Sequence, residues 1–74
     1  MAINWRERVE TNPDVRSGQP TIRGTRVTVK DVLGFMAAGM TDEEILVEYP
    51  YLGPDDLLAA VAYAAEVLPD RIPA

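Results

Sequence analysis

The sequence predicts a mainly α domain in which a short N-terminal β-hairpin or strand pair precedes three helices. Three observations carry this. The first 27 residues are crowded with turn formers, Pro13, Gly18, Pro20 and Gly24, which leave room only for short strands. From Thr28 onward apolar residues recur at helical spacing. That helical half is cut into three by Gly39 and by the Pro50 to Pro54 stretch, and Pro69 follows the last piece. With 74 residues the chain reads as one domain, 1–74: a β element over 1–27, a three-helix bundle over 28–68 and a tail over 69–74.

The β element is read from two segments. Asn12-Pro13-Asp14 is turn chemistry, so the residues before it form one short extended piece. "TIRGTRVTV", Thr21 to Val29, alternates β-branched and polar residues, with Gly24 as a bulge or turn. Alternation sets Ile22 inward and Arg23 outward.

Thr28 with Asp31 resembles a capping box that opens the first helix, whose stripe is Val29, Val32, Leu33 and Met36 and whose stop is Gly39. Thr41 with Glu44 is a second capping box, and Asp42 to Glu44 suit the positive end of the helix dipole. This helix turns Ile45 and Leu46 inward and ends at Pro50. The third helix opens at Gly53-Pro54 with Asp55 and Asp56 in its first turn, and runs to about Leu68.

The third helix is apolar nearly all round. Between Leu57 and Leu68 the only charge is Glu66. Two short helices cannot cover such a surface, and a domain of this size buries only about 60% of its unfolded area. Leu57, Leu58, Val61, Ala62, Ala65 and Leu68 are therefore candidates for a homodimer or higher homo-oligomer interface. The alternative is a monomer core with a few exposed alanines.

Composition limits the chemistry. There are no cysteines and no histidines, which removes disulfides and Cys/His zinc sites. Ser17 is the one serine and has no base beside it, so nucleophilic catalysis has no candidate set. The acidic runs Asp42 to Glu44 and Asp55-Asp56 sit at helix starts, where they serve the dipole better than a metal. We expect no enzyme, no metal and no cofactor. The N-terminus lacks a secretory core and the run Leu57 to Ala65 is too short for a bilayer, so a soluble cytoplasmic protein without membrane contact is expected.

Charge is split along the chain. The net charge is −5, but residues 1–30 hold six cations against three acids, and residues 31–74 hold one cation against nine acids. Arg6, Arg8, Arg16, Arg23, Arg26, Lys30 and Arg71 are the candidates for contact with an acidic protein or with DNA. Three helices with a capped turn between the last two raise a helix-turn-helix. Its third helix would present Asp55 and Asp56 to phosphate and offers no Arg, Lys, Asn or Gln to read a base, so DNA binding by this chain alone is expected to be weak and N-terminal.

The order of motifs "SGQPTIRGTRVTVKDVL", "AAGMTDEEILVEYPYL" and "DDLLAAVAYAAE" resembles the small prokaryotic family called domain of unknown function 433, whose members are often described as VapB-like antitoxins. The resemblance covers roughly Val9 to Glu66 and places the family pattern on Gly18, Pro20, Ile22, Gly24, Thr25, Arg26, Gly39, Tyr49, Pro50 and Leu52. Ser17 stands where a glycine is usual and Gln19 where a cation is usual. The resemblance implies a homeodomain-like or winged-helix-like helix-turn-helix bundle, dimeric, that binds and silences a neighbouring nuclease-like toxin and represses its own operon. A stand-alone DNA-binding regulator and a non-catalytic assembly module are the alternatives.

Two arginines carry opposite expectations. Arg26 is expected to pair with an acid of the C-terminal half, although a partner contact stays open; Arg23 is expected as an exposed contact. In the tail, Pro69 and Pro73 would stiffen the segment that presents Arg71, unless the tail is a frayed end.

Overall fold

A computed structural model describes residues 3–68. It is a small, mainly helical domain with three helices preceded by a two-strand antiparallel sheet. A 3₁₀ turn at Trp5–Glu7 leads into β1, Val9–Glu10. β1 pairs with β2, Thr21–Ile22, in the register Val9 to Ile22 and Glu10 to Thr21. The helices follow: α1 over Val29–Ala37, α2 over Asp42–Glu48 and α3 over Pro54–Val67.

The caps read from the sequence are formed. The Thr28 hydroxyl accepts from the Asp31 amide at 2.8 Å, and the Asp31 carboxylate accepts from the Thr28 amide at 3.1 Å. Thr41 and Glu44 repeat the exchange at the start of α2. α3 starts at Pro54, and the Asp56 carboxylate accepts from the Gly53 amide at 2.8 Å. These bonds satisfy amide donors that a helix start leaves unpaired. Gly39, at φ +96°, ends α1 in the left-handed conformation that stops helices.

The core lies between the sheet and the helices. Val9, Ile22 and Val27 from the β element meet Val29 and Val32 of α1, Ile45 of α2, Leu52 of the α2–α3 turn and Leu57, Ala59 and Ala60 of α3. Ala59 and Ala60 are fully buried, and α3 packs against α1. Tyr49 stacks on Phe35 with ring centroids 5.1 Å apart, which joins the end of α2 to α1. This is the local work of the Tyr-Pro turn.

Three sequence expectations change. The alternation across "TIRGTRVTV" does not continue as one strand. β2 is two residues long, because Gly24 takes φ +77° and turns the chain before Val27 returns to the core. The segment before Val9 is a 3₁₀ turn rather than extended chain. Leu57 is not an interface residue: it is 1% exposed and belongs to the chain's own core. The core-facing side of α3 passes through Leu57 and Ala60, so the exposed apolar side is the opposite one, at Leu58, Val61 and Ala65.

The N-terminal segment straps onto α3. Trp5 meets Tyr63 edge to face with centroids 4.8 Å apart. Arg6 bonds Glu66 at 2.6 Å, and Arg8 reaches Asp56 at 3.2 Å and Asp55 at 3.4 Å. Charge from the basic half of the sequence is thus folded back onto the acidic half.

Candidate partner-binding surface

The turn after β2 builds the surface. Ile22 donates its amide to the Val27 carbonyl at 2.8 Å and accepts from the Thr25 amide at 3.0 Å. The Thr25 hydroxyl donates to the Ile22 carbonyl at 2.8 Å and accepts from the Val27 amide at 3.0 Å. Thr25 therefore bonds its own loop, as its place after Gly24 suggests. Glu10 clamps the turn from the neighbouring strand. Its carboxylate accepts from the Gly24 amide at 3.1 Å and from Arg23 at 3.2 Å. Arg23 also donates to the carbonyls of Glu7 and Arg6.

The expected roles of the two arginines are reversed. Arg23 points outward, yet it is the arginine tied to a carboxylate and two carbonyls. Arg26 is exposed and makes no ion pair with any described residue. Glu10 is already engaged by Arg23 and the Gly24 amide, and Asp31 by Arg16 and the Thr28 amide, while Arg16 donates to the Arg26 carbonyl at 2.9 Å. Arg16 also bonds Asp31 at 2.9 Å. Partial burial pushes the Asp31 carboxyl up, but the Thr28 backbone, the Arg16 guanidinium and the Thr28 hydroxyl together hold it below its ordinary value of 3.8.

The cations therefore fall into two groups. Arg6, Arg8, Arg16 and Arg23 have acidic partners within the chain. Arg26 and Lys30, on either side of the α1 cap, have none among the described residues. Arg71 lies outside the described residues.

A shallow depression opens beside this turn, lined by Glu10, Val15, Arg23, Gly24, Arg26 and Tyr51. Tyr51 is 62% exposed and leans edge-on against Tyr49 at 6.2 Å. The depression joins a cation free to pair with an amphipathic ring, the combination that suits a carboxylate or phosphate on a partner surface. Sequence reasoning named Tyr49, Pro50 and Leu52 but passed over Tyr51. It also missed Glu10, whose only signal was its place opposite Thr21 in the strand register. For Tyr51 the signal was available: in Tyr-Pro-Tyr-Leu, one tyrosine and the leucine turn inward, which leaves the second tyrosine outside.

The remaining motif residues serve the scaffold. Gly18, at φ +80°, closes a left-handed turn that includes Arg16 at φ +49° and Ser17 at φ +59°. The Pro20 carbonyl accepts from the Val29 amide at 2.9 Å, and Ile22 and Leu52 are buried.

A second surface is apolar. Opposite the core, α3 presents Leu58 at 55% exposure and Val61 at 43%, with Ala65 exposed and Ala62 half-buried. No helix among the described residues is long and apolar enough to cross a membrane.

The fold is that of a β-hairpin-like strand pair carrying three capped helices, and residues 9–64 match the model of a protein family of unknown function, DUF433. The chain belongs to that family. It is 42% identical over 59 residues to an uncharacterized protein, y4eO, of Sinorhizobium fredii. The match covers 80% of this chain but 27% of that relative. It is also similar to the crystal structure of a DUF433 member protein from Anabaena variabilis, with a TM-score of 0.77 and 36% identity, over 80% of this chain and 58% of that one.

Proposed function

We propose that this chain is the antitoxin of a type II toxin–antitoxin pair, a VapB-like protein that binds a nuclease-like toxin and blocks it. In this reading its helices form a homeodomain-like or winged-helix-like helix-turn-helix bundle. It acts in the cytoplasm as a homodimer or higher homo-oligomer, without a catalytic group, metal or cofactor of its own.

The observation that carries the reading is Arg26, an exposed cation without an acidic partner among the described residues, set at the rim of the Gly24 depression beside Tyr51. A metal-dependent nuclease site is a cluster of carboxylates that holds divalent cations. A guanidinium entering it replaces the metal's charge and bonds a carboxylate in two places, which lysine cannot match. Arg23 is less suited, because turning outward would break its bonds to the Glu10 carboxylate and to the Glu7 and Arg6 carbonyls.

The test is co-expression with the product of an adjacent small nuclease-like reading frame, followed by pull-down and nuclease assay. The pair should co-purify and the nuclease should be silent. Arg26→Ala should release activity with the fold retained, and Arg26→Lys should restore inhibition only in part. Complete inhibition by Arg26→Ala overturns the role of Arg26; absence of any complex overturns the antitoxin reading.

A stand-alone DNA-binding regulator is the second reading. Arg8 offsets part of the charge of Asp55 and Asp56 at the start of α3, while Arg26 and Lys30 remain available to phosphate. Operator affinity should then fall with salt, with a slope that drops by roughly one for each of these two cations removed. If the chain binds neither toxin nor DNA, it is an assembly module.

A further inference from the structure

The outer face of α3 is self-complementary. Leu58, Val61, Ala62 and Ala65 are spaced three, one and three residues apart, the repeat of a helix–helix seam. None of them belongs to the Gly24 depression. We propose that two copies of the chain pair along this face with their α3 helices antiparallel, about a two-fold axis between Val61 and Ala62. The proposal rests on the homodimer reading above and adds its geometry.

Size and charge both select the antiparallel arrangement. Reversal about that axis sets Leu58 against Ala65 of the other copy and Val61 against Ala62, a large residue on a small one throughout. A parallel pair would set Leu58 on Leu58 and Ala65 on Ala65, crowding one end and leaving the other open. The N-terminal strap runs along one edge of the face, with Arg6 and Glu66 at one end and Arg8 and Asp55 at the other. In the antiparallel pair the two straps share an edge, so Arg6 of each copy lies beside Asp55 of the other. Asp55 is the more exposed of the two partners of Arg8, and its contact with Arg8 is the longer one at 3.4 Å. A parallel pair would gain no such exchange. This match of the face to its own reverse is what selects a second copy over an unrelated partner.

The absence of native cysteine makes the geometry directly readable. Purified Leu58→Cys and Ala65→Cys chains would be oxidised separately and as a mixture, and the wild-type mass measured by sedimentation. The step of seven residues from one position to the other spans about 10 Å of helix. That is far beyond the Cβ separation of about 4 Å in a disulfide. A dimeric wild type and a cross-link formed only in the mixture are expected. Cross-linking of each variant alone, but not between them, would show a parallel pair and overturn the proposal. A dimeric wild type with no cross-link in any sample would leave the homodimer and overturn this seam. A monomer at micromolar concentration would overturn both. Because Ala62 lies on the side of α3 away from the core, Ala62→Glu should halve the mass while helical circular dichroism persists; an unchanged mass counts against the seam.

Discussion

Gly24→Ala and Gly34→Ala make the same chemical change at two exposed glycines and are expected to move stability in opposite directions. A Cβ built at either position meets nothing within 4 Å, so steric clash contributes to neither. The backbone decides. Gly34 sits inside α1, where alanine is favoured over glycine by about 0.8–1.0 kcal/mol. Gly24 has φ +77°, where an L-residue costs about 1–2 kcal/mol. Alanine also narrows the unfolded ensemble, which returns about 0.4–1 kcal/mol. The net at Gly24 is a loss of about 0.5–1 kcal/mol. For a domain of this length 1 kcal/mol moves Tm by about 4–8 °C. Thermal melts followed by circular dichroism, at one protein concentration, should separate the variants by roughly 10 °C, with Gly34→Ala the higher. If both shift the same way, backbone conformation is not what distinguishes the two positions. A drop for Gly34→Ala alone would mean that this face of α1 is covered in solution.

Three further outcomes follow from the contacts. Arg23→Ala should lower stability by up to about 1 kcal/mol, as partly exposed ion pairs do, while Arg26→Ala should leave urea midpoints unchanged. Ile45→Ala, at a fully buried position, should cost about 2–5 kcal/mol and leave the domain largely unfolded by circular dichroism. Asp31 titrates below its unfolded value of 3.8, so its contribution is complete above that pH and is lost as pH falls through the folded value; Asp31→Asn should remove this part of the acid transition in urea titrations between pH 5 and pH 2.

The helical half was legible because its signals are local. Thr28 with Asp31, Thr41 with Glu44, and Gly53-Pro54 each fix a helix start from within four residues, and each start lies where the sequence put it. The face of α3 was not legible, because a helix apolar on every side has no preferred side by periodicity. Burial of Leu57, Ala59 and Ala60 decides it, and which side of a helix meets its neighbours is a property of the packed elements together. The arginines failed for a related reason. Which cation Glu10 captures depends on how sharply Gly24 turns and on strand register, neither of which is written at Arg23 or Arg26.

The strap that joins the first described residues to α3 also determines how the molecule comes apart. Its bonds close over long stretches of chain: 60 residues separate Arg6 from Glu66, and 48 separate Arg8 from Asp56. Neither the sheet nor α3 can be peeled off as an independent unit, since the release of one uncovers the other. Opening of the strap therefore uncovers one side of α3 as well, so the two loosen together. Proteolysis within the described residues should therefore track the population in which strap and α3 have opened together.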